Sequence, residues 1–226
     1  MAATPNFSPN KLLRTLSNAD FALLQPHLER VTLDVRQVLE APNKPIKHAF
    51  FIESGLASIV AVNGHHKRLE VGLIGREGMT GLPIVLGTDR SPDENFIQVA
   101  GEGQQIAAKD LREAMQESRT LERAFARFAL SFMNQTANTA LSNGTATIEE
   151  RLARWLLMAS DRLGGDEVPL THEFLSLMLG VRRAGVTVAL HYLEQRVLIR
   201  LSRKMVVITD RRGLQAAANG SYHELM

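Results

Sequence analysis

Residues 179–195 read LGVRRAGVTVALHYLEQ. Arg182 and Arg183 stand side by side where the spacing predicts a helix to begin, ahead of Gly185, Val186, Thr187 and Val188. Guanidinium groups at a helix N-terminus suit an anion, and either one can grip a guanine edge through paired hydrogen bonds. Val186, Leu190, Leu193 and Val197 form one apolar stripe, which leaves Arg183, Ala184, Thr187, Val188 and His191 on the opposite face. The methyls of Thr187 and Val188 could meet thymine, and Gly185 would let a partner approach the backbone. Downstream, VLIRLSRKMVVITD alternates over two short runs, a hairpin pattern with Arg203 and Lys204 at its tip. Such a tip could rest on a phosphate backbone.

Charge supports a polyanionic partner. Residues 1–144 carry 15 Lys/Arg and 15 Asp/Glu, whereas residues 182–212 carry eight basic side chains against Glu194 and Asp210, a local +6. A positive field confined to one segment of a near-neutral chain is the electrostatic footprint of nucleic-acid binding. Upstream, Thr171 can cap a helix bearing Phe174, Leu175, Met178 and Leu179. Ser176 offers a small residue where a second helix would cross, and Gly180 tolerates the positive φ of a tight turn. The pattern from Thr171 to Leu193 is therefore helix, turn, helix, with a winged hairpin behind it.

Other chemistries find little support. The chain has no cysteine, which excludes disulfides, thiolate metal sites and cysteine-ligated iron–sulfur clusters. His65, His66 and Glu70 are the nearest approach to the metal motif of a cupin-like β-barrel enzyme. Adjacent histidines point to opposite faces of a strand, however, so no metal site, cofactor or catalytic residue is expected. No run of about 18 apolar residues suggests a membrane span, and the first residues show no signal-peptide pattern. A cytoplasmic location is the expectation.

The elements that would position these residues fall into segments of different texture. Ser17 and Asp20 resemble a capping box ahead of Phe21, Leu24 and Leu28. From about 31 to 108 short runs rich in Val, Ile and Phe alternate with turn-like APNKP, NGHH, GREG, LGTDRSPD and GEG, as in an all-β barrel, roll or sandwich. Asn63–Gly64 marks a hairpin. From 109 a single long helical pattern carries Leu121, Phe125, Phe128 and Phe132, continued by Thr136 and Thr139. That stripe needs a cover: its own β-domain, a second copy of the helix, or both. Gly144 should interrupt the helix as a hinge, Thr147 cap the next, and Gly164 end it.

The chain as a whole resembles the Crp/Fnr superfamily of bacterial transcription regulators, over roughly residues 10–215. The strongest local matches are HAFFIESGLASIV, EERLARWLL and LTHEFLSLMLGVRRAGVTVALHYLEQRVLIR. The resemblance implies an α+β fold: an N-terminal β-roll of double-stranded β-helix or jelly-roll type, a long dimerisation helix and a C-terminal winged helix-turn-helix. The expected boundaries are 1–118, 119–145 and 146–226. It also implies a homodimer that binds double-stranded DNA and contacts RNA polymerase. DNA-binding residues would be Thr171, Arg182, Arg183, Ala184, Gly185, Thr187, Val188, His191, Arg203 and Lys204. The dimer interface would be Leu121, Phe125, Phe128, Phe132, Thr136 and Thr139.

Two departures from the family pattern bear on function. Aligned on Gly180 and Glu194, Arg183 matches the first of three usual base readers, but Ala184 and Val188 replace a Glu and an Arg. In the effector pocket Gly81 matches, Leu82 stands where a ribose-binding Glu is usual, and Arg90–Ser91 lies early for the phosphate-binding pair. A regulator not gated by cyclic AMP is expected, with a small-molecule effector open. A cyclic-nucleotide-gated regulator and the metal-dependent enzyme are the alternatives.

Overall fold

The computed structural model describes residues 8–65 and 67–223; His66, and the side chain of His172, lie outside the described set. In chain order the elements are α1 (Lys11–Arg14), α2 (Asn18–Leu24), β1 (Glu29–Leu33), β2 (Val38–Glu40), β3 (His48–Ile52), β4 (Leu56–Val62), β5 (Arg68–Ile74), α3 (Leu82–Val85), β6 (Glu94–Val99) and β7 (Gly101–Ala107). There follow α4 (Ala108–Glu117), α5 (Arg119–Thr145), α6 (Ile148–Leu163), β8 (Glu167–Pro169), α7 (His172–Leu179), α8 (Arg183–Gln195), β9 (Ile199–Ser202), β10 (Met205–Ile208) and α9 (Arg211–Ala217).

The β-region builds two antiparallel sheets, ordered β1-β7-β3 and β2-β6-β4-β5. Alternation along β3 explains why both of its faces are apolar. Phe50 and Ile52 join Leu33 and meet Ala57, Ile59, Ile74 and Ile97 of the other sheet. Ala49 and Phe51 point the other way, onto α1, α2, α4 and the start of α5. The Asn63–Gly64 hairpin forms as expected: Asn63 Oδ1 accepts from the His65 and Lys67 amides, both at 3.0 Å. GEG at 101–103, read as a turn, instead opens β7, pairing with β1 and β3. Glycine is needed there because a Cβ on Gly103 would come within 2.6 Å of the Phe51 carbonyl oxygen.

The single long helix expected from 109 is two. Ser118 adopts an extended backbone, accepts from the Leu121 amide at 3.3 Å and starts α5. Asp20 holds the break from outside, accepting from Ser118 Oγ at 2.5 Å and Thr120 Oγ1 at 2.8 Å. Ser17 does cap α2 through the Asp20 amide; the Asp20 carboxylate is spent on Ser118, Thr120 and the Ser17 hydroxyl. At its other end α5 runs through Gly144 to Thr145, so the interruption comes after the glycine, at extended Ala146. Thr147 then forms a full capping box with Glu150.

The aromatic stripe of α5 is covered by the chain's own β-region. Leu121 and Phe125 are fully buried, and Phe128 and Phe132 pack on the sheet core. Gly72 makes room: a Cβ there would lie 2.6 Å from the Phe132 ring. Gln135 exchanges two hydrogen bonds with the backbone of Leu73 on edge strand β5, at 2.8 and 3.1 Å. Leu121, Phe125, Phe128 and Phe132, expected at a dimer interface, are thus core of their own protomer. The outward face of α5 is a second stripe, Ala126, Leu130, Met133, Ala137 and Leu141, all exposed.

The C-terminal region has one core, in which Leu152, Leu156, Ala159, Leu175, Leu179, Val186, Leu190, Leu193, Ile199 and Val206 meet. Its three-stranded sheet is β8-β10-β9.

Candidate nucleic-acid interface and ligand cavity

Thr171 Oγ1 accepts from the Phe174 amide at 3.2 Å and so caps α7. Gly180 ends that helix in the left-handed region, φ +61°. α7 and α8 then meet at 95°, the angle range of helix-turn-helix pairs. Val186, Leu190 and Leu193 are buried as the spacing predicts. Val197 is not: it is 70% exposed, with φ +59°, because α8 has ended at Gln195 and the chain has turned. Leu198, 5% exposed, takes its place in the core.

The face opposite that stripe is open. Arg182, Arg183, Ala184, Val188 and His191 are exposed, and Thr187 is half-buried with its hydroxyl bonded to the Arg183 carbonyl at 3.1 Å. Arg183 Nη2 lies 3.9 Å from Glu173 Oε2. His191 Nδ1 lies 3.5 Å from Glu194 Oε2. Gly185 corrects the sequence reading. A Cβ there would point at Ile148 and Val181 at ordinary contact distances, 3.6 and 3.9 Å, so its bare side faces the domain and not the open surface.

Arg203 and Lys204 form the β9–β10 turn, with Lys204 at φ +58°. The turn is pinned to the body through Leu170 N–H, which donates to the Lys204 carbonyl at 3.0 Å. Glu194 Oε1 accepts from the Leu201 amide at 3.0 Å and ties α8 to the same hairpin. Sequence reasoning overlooked the pair at the end of α8: Tyr192 is exposed, and the Arg196 guanidinium lies 5.5 Å from its ring centroid.

The helix-turn-helix is docked on the β-region. Phe174 stacks on Phe96 at 6.3 Å, and Arg36 lies over Phe174 at 5.9 Å while pairing with Glu173 at 3.6 Å. Deeper in, Trp155 Nε1 donates to Glu70 Oε1 at 2.7 Å, and the Ser58 hydroxyl donates to Glu70 Oε2. Burial pushes the Glu70 carboxyl up to about 8, against the opposing effect of those two hydrogen bonds and of Arg162 and Arg154. Glu70 is therefore a junction residue, and among the described residues no three His, Asp or Glu side chains are grouped to hold a metal.

A cavity of about 480 Å³ lies between the second sheet, α3 and α5. Gly81, Leu82 and Ser91 line it; Arg90 does not. Arg90 is turned outward, donating to the Asn43 carbonyl at 3.1 Å and pairing with Asp89 at 3.6 Å. Thr136 also lines the cavity, while Thr139 accepts from Arg154 Nη2 at 3.1 Å. Sequence reasoning missed Glu40 in the wall, since an isolated polar residue on a strand gives no periodic signal.

Residues 150–217 match the family model of the Crp-like helix-turn-helix domain. Solved structures share most of the fold. FixK2 from Bradyrhizobium japonicum is 14% identical over 88% of this chain and 99% of its own, with a TM-score of 0.74. A transcriptional regulator of the CRP/FNR family from Thermus thermophilus is 20% identical over 85% and 100%, TM-score 0.69. The c-di-GMP responsive global regulator CLP of Xanthomonas campestris is 18% identical over 85% and 99%, TM-score 0.69. No curated protein sequence matches. The chain therefore shares its fold with solved regulators of the Crp/Fnr family, and its C-terminal segment is similar to the Crp-like helix-turn-helix domain. No single helix among the described residues is long and apolar enough to cross a membrane.

Proposed function

We propose that the protein is a homodimer that reads a near-palindromic site on double-stranded DNA without cyclic AMP, and recruits or blocks RNA polymerase there, in the cytoplasm. The carrying observation is the open face of α8. Arg182 and Arg183 stand at its N-terminus, and Ala184, Val188 and His191 are exposed beside them. Arg183 supplies a bidentate contact to a guanine edge, Thr187 and Val188 supply methyl contacts, and Arg203 and Lys204 lie on phosphates. Thr171 serves by capping the helix that supports the reader. Because Ala184 and Val188 offer no charged group to a base, apolar contacts carry more of the reading than an Arg-Glu-Arg set would.

Dimerisation is assigned to the outward stripe of α5. Ala126, Leu130, Met133, Ala137 and Leu141 recur at spacings of four, three, four and four, the pattern of a two-helix seam. The sensor region is 1–118, α5 occupies 119–145, and the DNA-binding domain, opened by the break at Ala146, is 146–226. No catalytic role is assigned.

The test is selection of bound duplexes from a random library with the full chain. Two related half-sites with centres about 10–10.5 base pairs apart, or a multiple, are expected. Enrichment of no sequence, or of an isolated half-site, would sink the dimeric reader. Calorimetry with cyclic AMP tests the independence separately, and micromolar binding would overturn it.

A further inference from the structure

The cavity beside α5 has an unusual balance of groups. Ile59, Val71, Leu82, Leu86, Phe132 and Met133 give it apolar walls. Its polar groups are acceptors. Glu40 is 7% exposed, and its Oε1 accepts from the Gly81 amide at 2.7 Å and from Asn95 Nδ2 at 3.2 Å. Asp93 also lines the cavity, and its charge acts on Glu40. Burial pushes both carboxyls above their ordinary pKa. No lysine or arginine is among the lining residues.

The second observation is independent of the acids. Asn95 is 3% exposed, and its Oδ1 has no hydrogen-bond partner. The amide orientation is fixed chemically, because its NH₂ group must face the Glu40 carboxylate. The atom left free is therefore an acceptor. Thr136 Oγ1, on the α5 wall, is also buried without a partner. Native proteins leave few buried polar atoms unpaired, and such atoms commonly mark a place that something else fills.

We propose that this cavity binds an apolar small molecule carrying a protonated amine, with the ammonium group against Glu40, Asp93 and Asn95 and the apolar body against the sheet and α5. An anionic ligand would meet two carboxylates and no compensating cation. The volume falls within the range of ordinary small-molecule sites. The proposal is independent of the DNA reading, which the library selection tests without any ligand.

Calorimetry on the full chain with three probes of one apolar body decides it: 2-(1-naphthyl)ethylamine, 2-(1-naphthyl)ethanol and 1-naphthylacetate. The amine binds at one site per chain, about tenfold or more tighter than the acetate, whose charge would meet the two carboxylates with no compensating cation. Asp93→Asn weakens the amine about tenfold and leaves the alcohol within about twofold. Glu40 is left in place because it holds the Gly81 amide. Three outcomes overturn the proposal: acetate or cyclic AMP binding as tightly as the amine, amine binding indifferent to Asp93→Asn, or no binding by any of the three probes.

Discussion

Replacing Glu70 by glutamine removes a carboxyl buried between β5 and α6. The carboxyl accepts from Trp155 Nε1 and from Ser58, and glutamine can keep both contacts by accepting from one and donating to the other. What changes is the titration. Glu70 goes from an ordinary 4.5 to about 8 when it is buried. A carboxyl raised in the folded state holds its proton there while the unfolded chain gives it up. Its contribution to stability is therefore whole below about 4.5 and is lost progressively as pH rises to about 8. Each pH unit in that window is worth about 1.4 kcal/mol. Between about pH 5 and pH 7.5 the parent protein should lose about 3 kcal/mol that Glu70→Gln retains. Urea unfolding of both proteins at the two pH values measures the difference directly. Trp155 is the only tryptophan of the chain and is 4% exposed, so its emission follows the same junction. Parallel stability–pH curves for the two proteins would refute the reasoning, since the burial of this carboxyl would then carry no proton linkage.

Arg183→Ala should cost about 1–3 kcal/mol of binding to the selected site and relax the base preference at one position per half-site, read by fluorescence anisotropy on substituted duplexes. An unchanged affinity would remove Arg183 from the readers. Arg203→Ala and Lys204→Ala should weaken binding to all sequences alike, each lost phosphate contact reducing the slope of log K against log salt by about 0.9; a loss confined to one base pair would contradict a backbone role. Leu130→Glu places a charge on the outward stripe of α5, at a side chain that is 57% exposed and does not line the cavity. Sedimentation should find this variant monomeric and folded, and a persistent dimer would move the interface elsewhere.

What the sequence revealed follows the strength of each local signal. The helix-turn-helix was legible because its constraints are local and redundant: a capping Thr171, a left-handed Gly180 and an apolar stripe at helical spacing all agree. Val197 was misplaced because periodicity does not announce where a helix stops, and no proline or glycine marks the end of α8. The stripe from Leu121 to Phe132 was legible as buried, but not what buries it. An apolar helix face looks the same whether its own sheet or a second copy covers it. The distinguishing signal was non-local, in Gly72 and Gly78, whose missing side chains receive Phe132 and Phe128. Glu70 and Trp155 are 85 residues apart, and no spacing rule could have joined them. Glu40, the cavity's acceptor on β2, was hidden for the same reason.

The position of α7 determines how the two regions can influence one another. On one side Leu175 and Leu179 share a core with Val186 and Leu190 of the recognition helix. On the other, Phe174 stacks on Phe96 of the sheet, and Leu69 of β5 comes close to Gly180. Glu173 stands between, 3.6 Å from Arg36 and 3.9 Å from Arg183. Those side chains are all more than 60% exposed, so each ion pair contributes at most about 1 kcal/mol and is weakened by salt. A DNA phosphate or guanine edge offers Arg183 a stronger partner, and leaving Glu173 is a small cost. The aromatic pair, worth about 0.5–1.5 kcal/mol beyond its buried area, and the Glu70–Trp155 bond are not screened in that way. The docking of the helix-turn-helix on the β-region therefore rests on buried contacts. Salt should loosen the grip on DNA long before it separates the two regions.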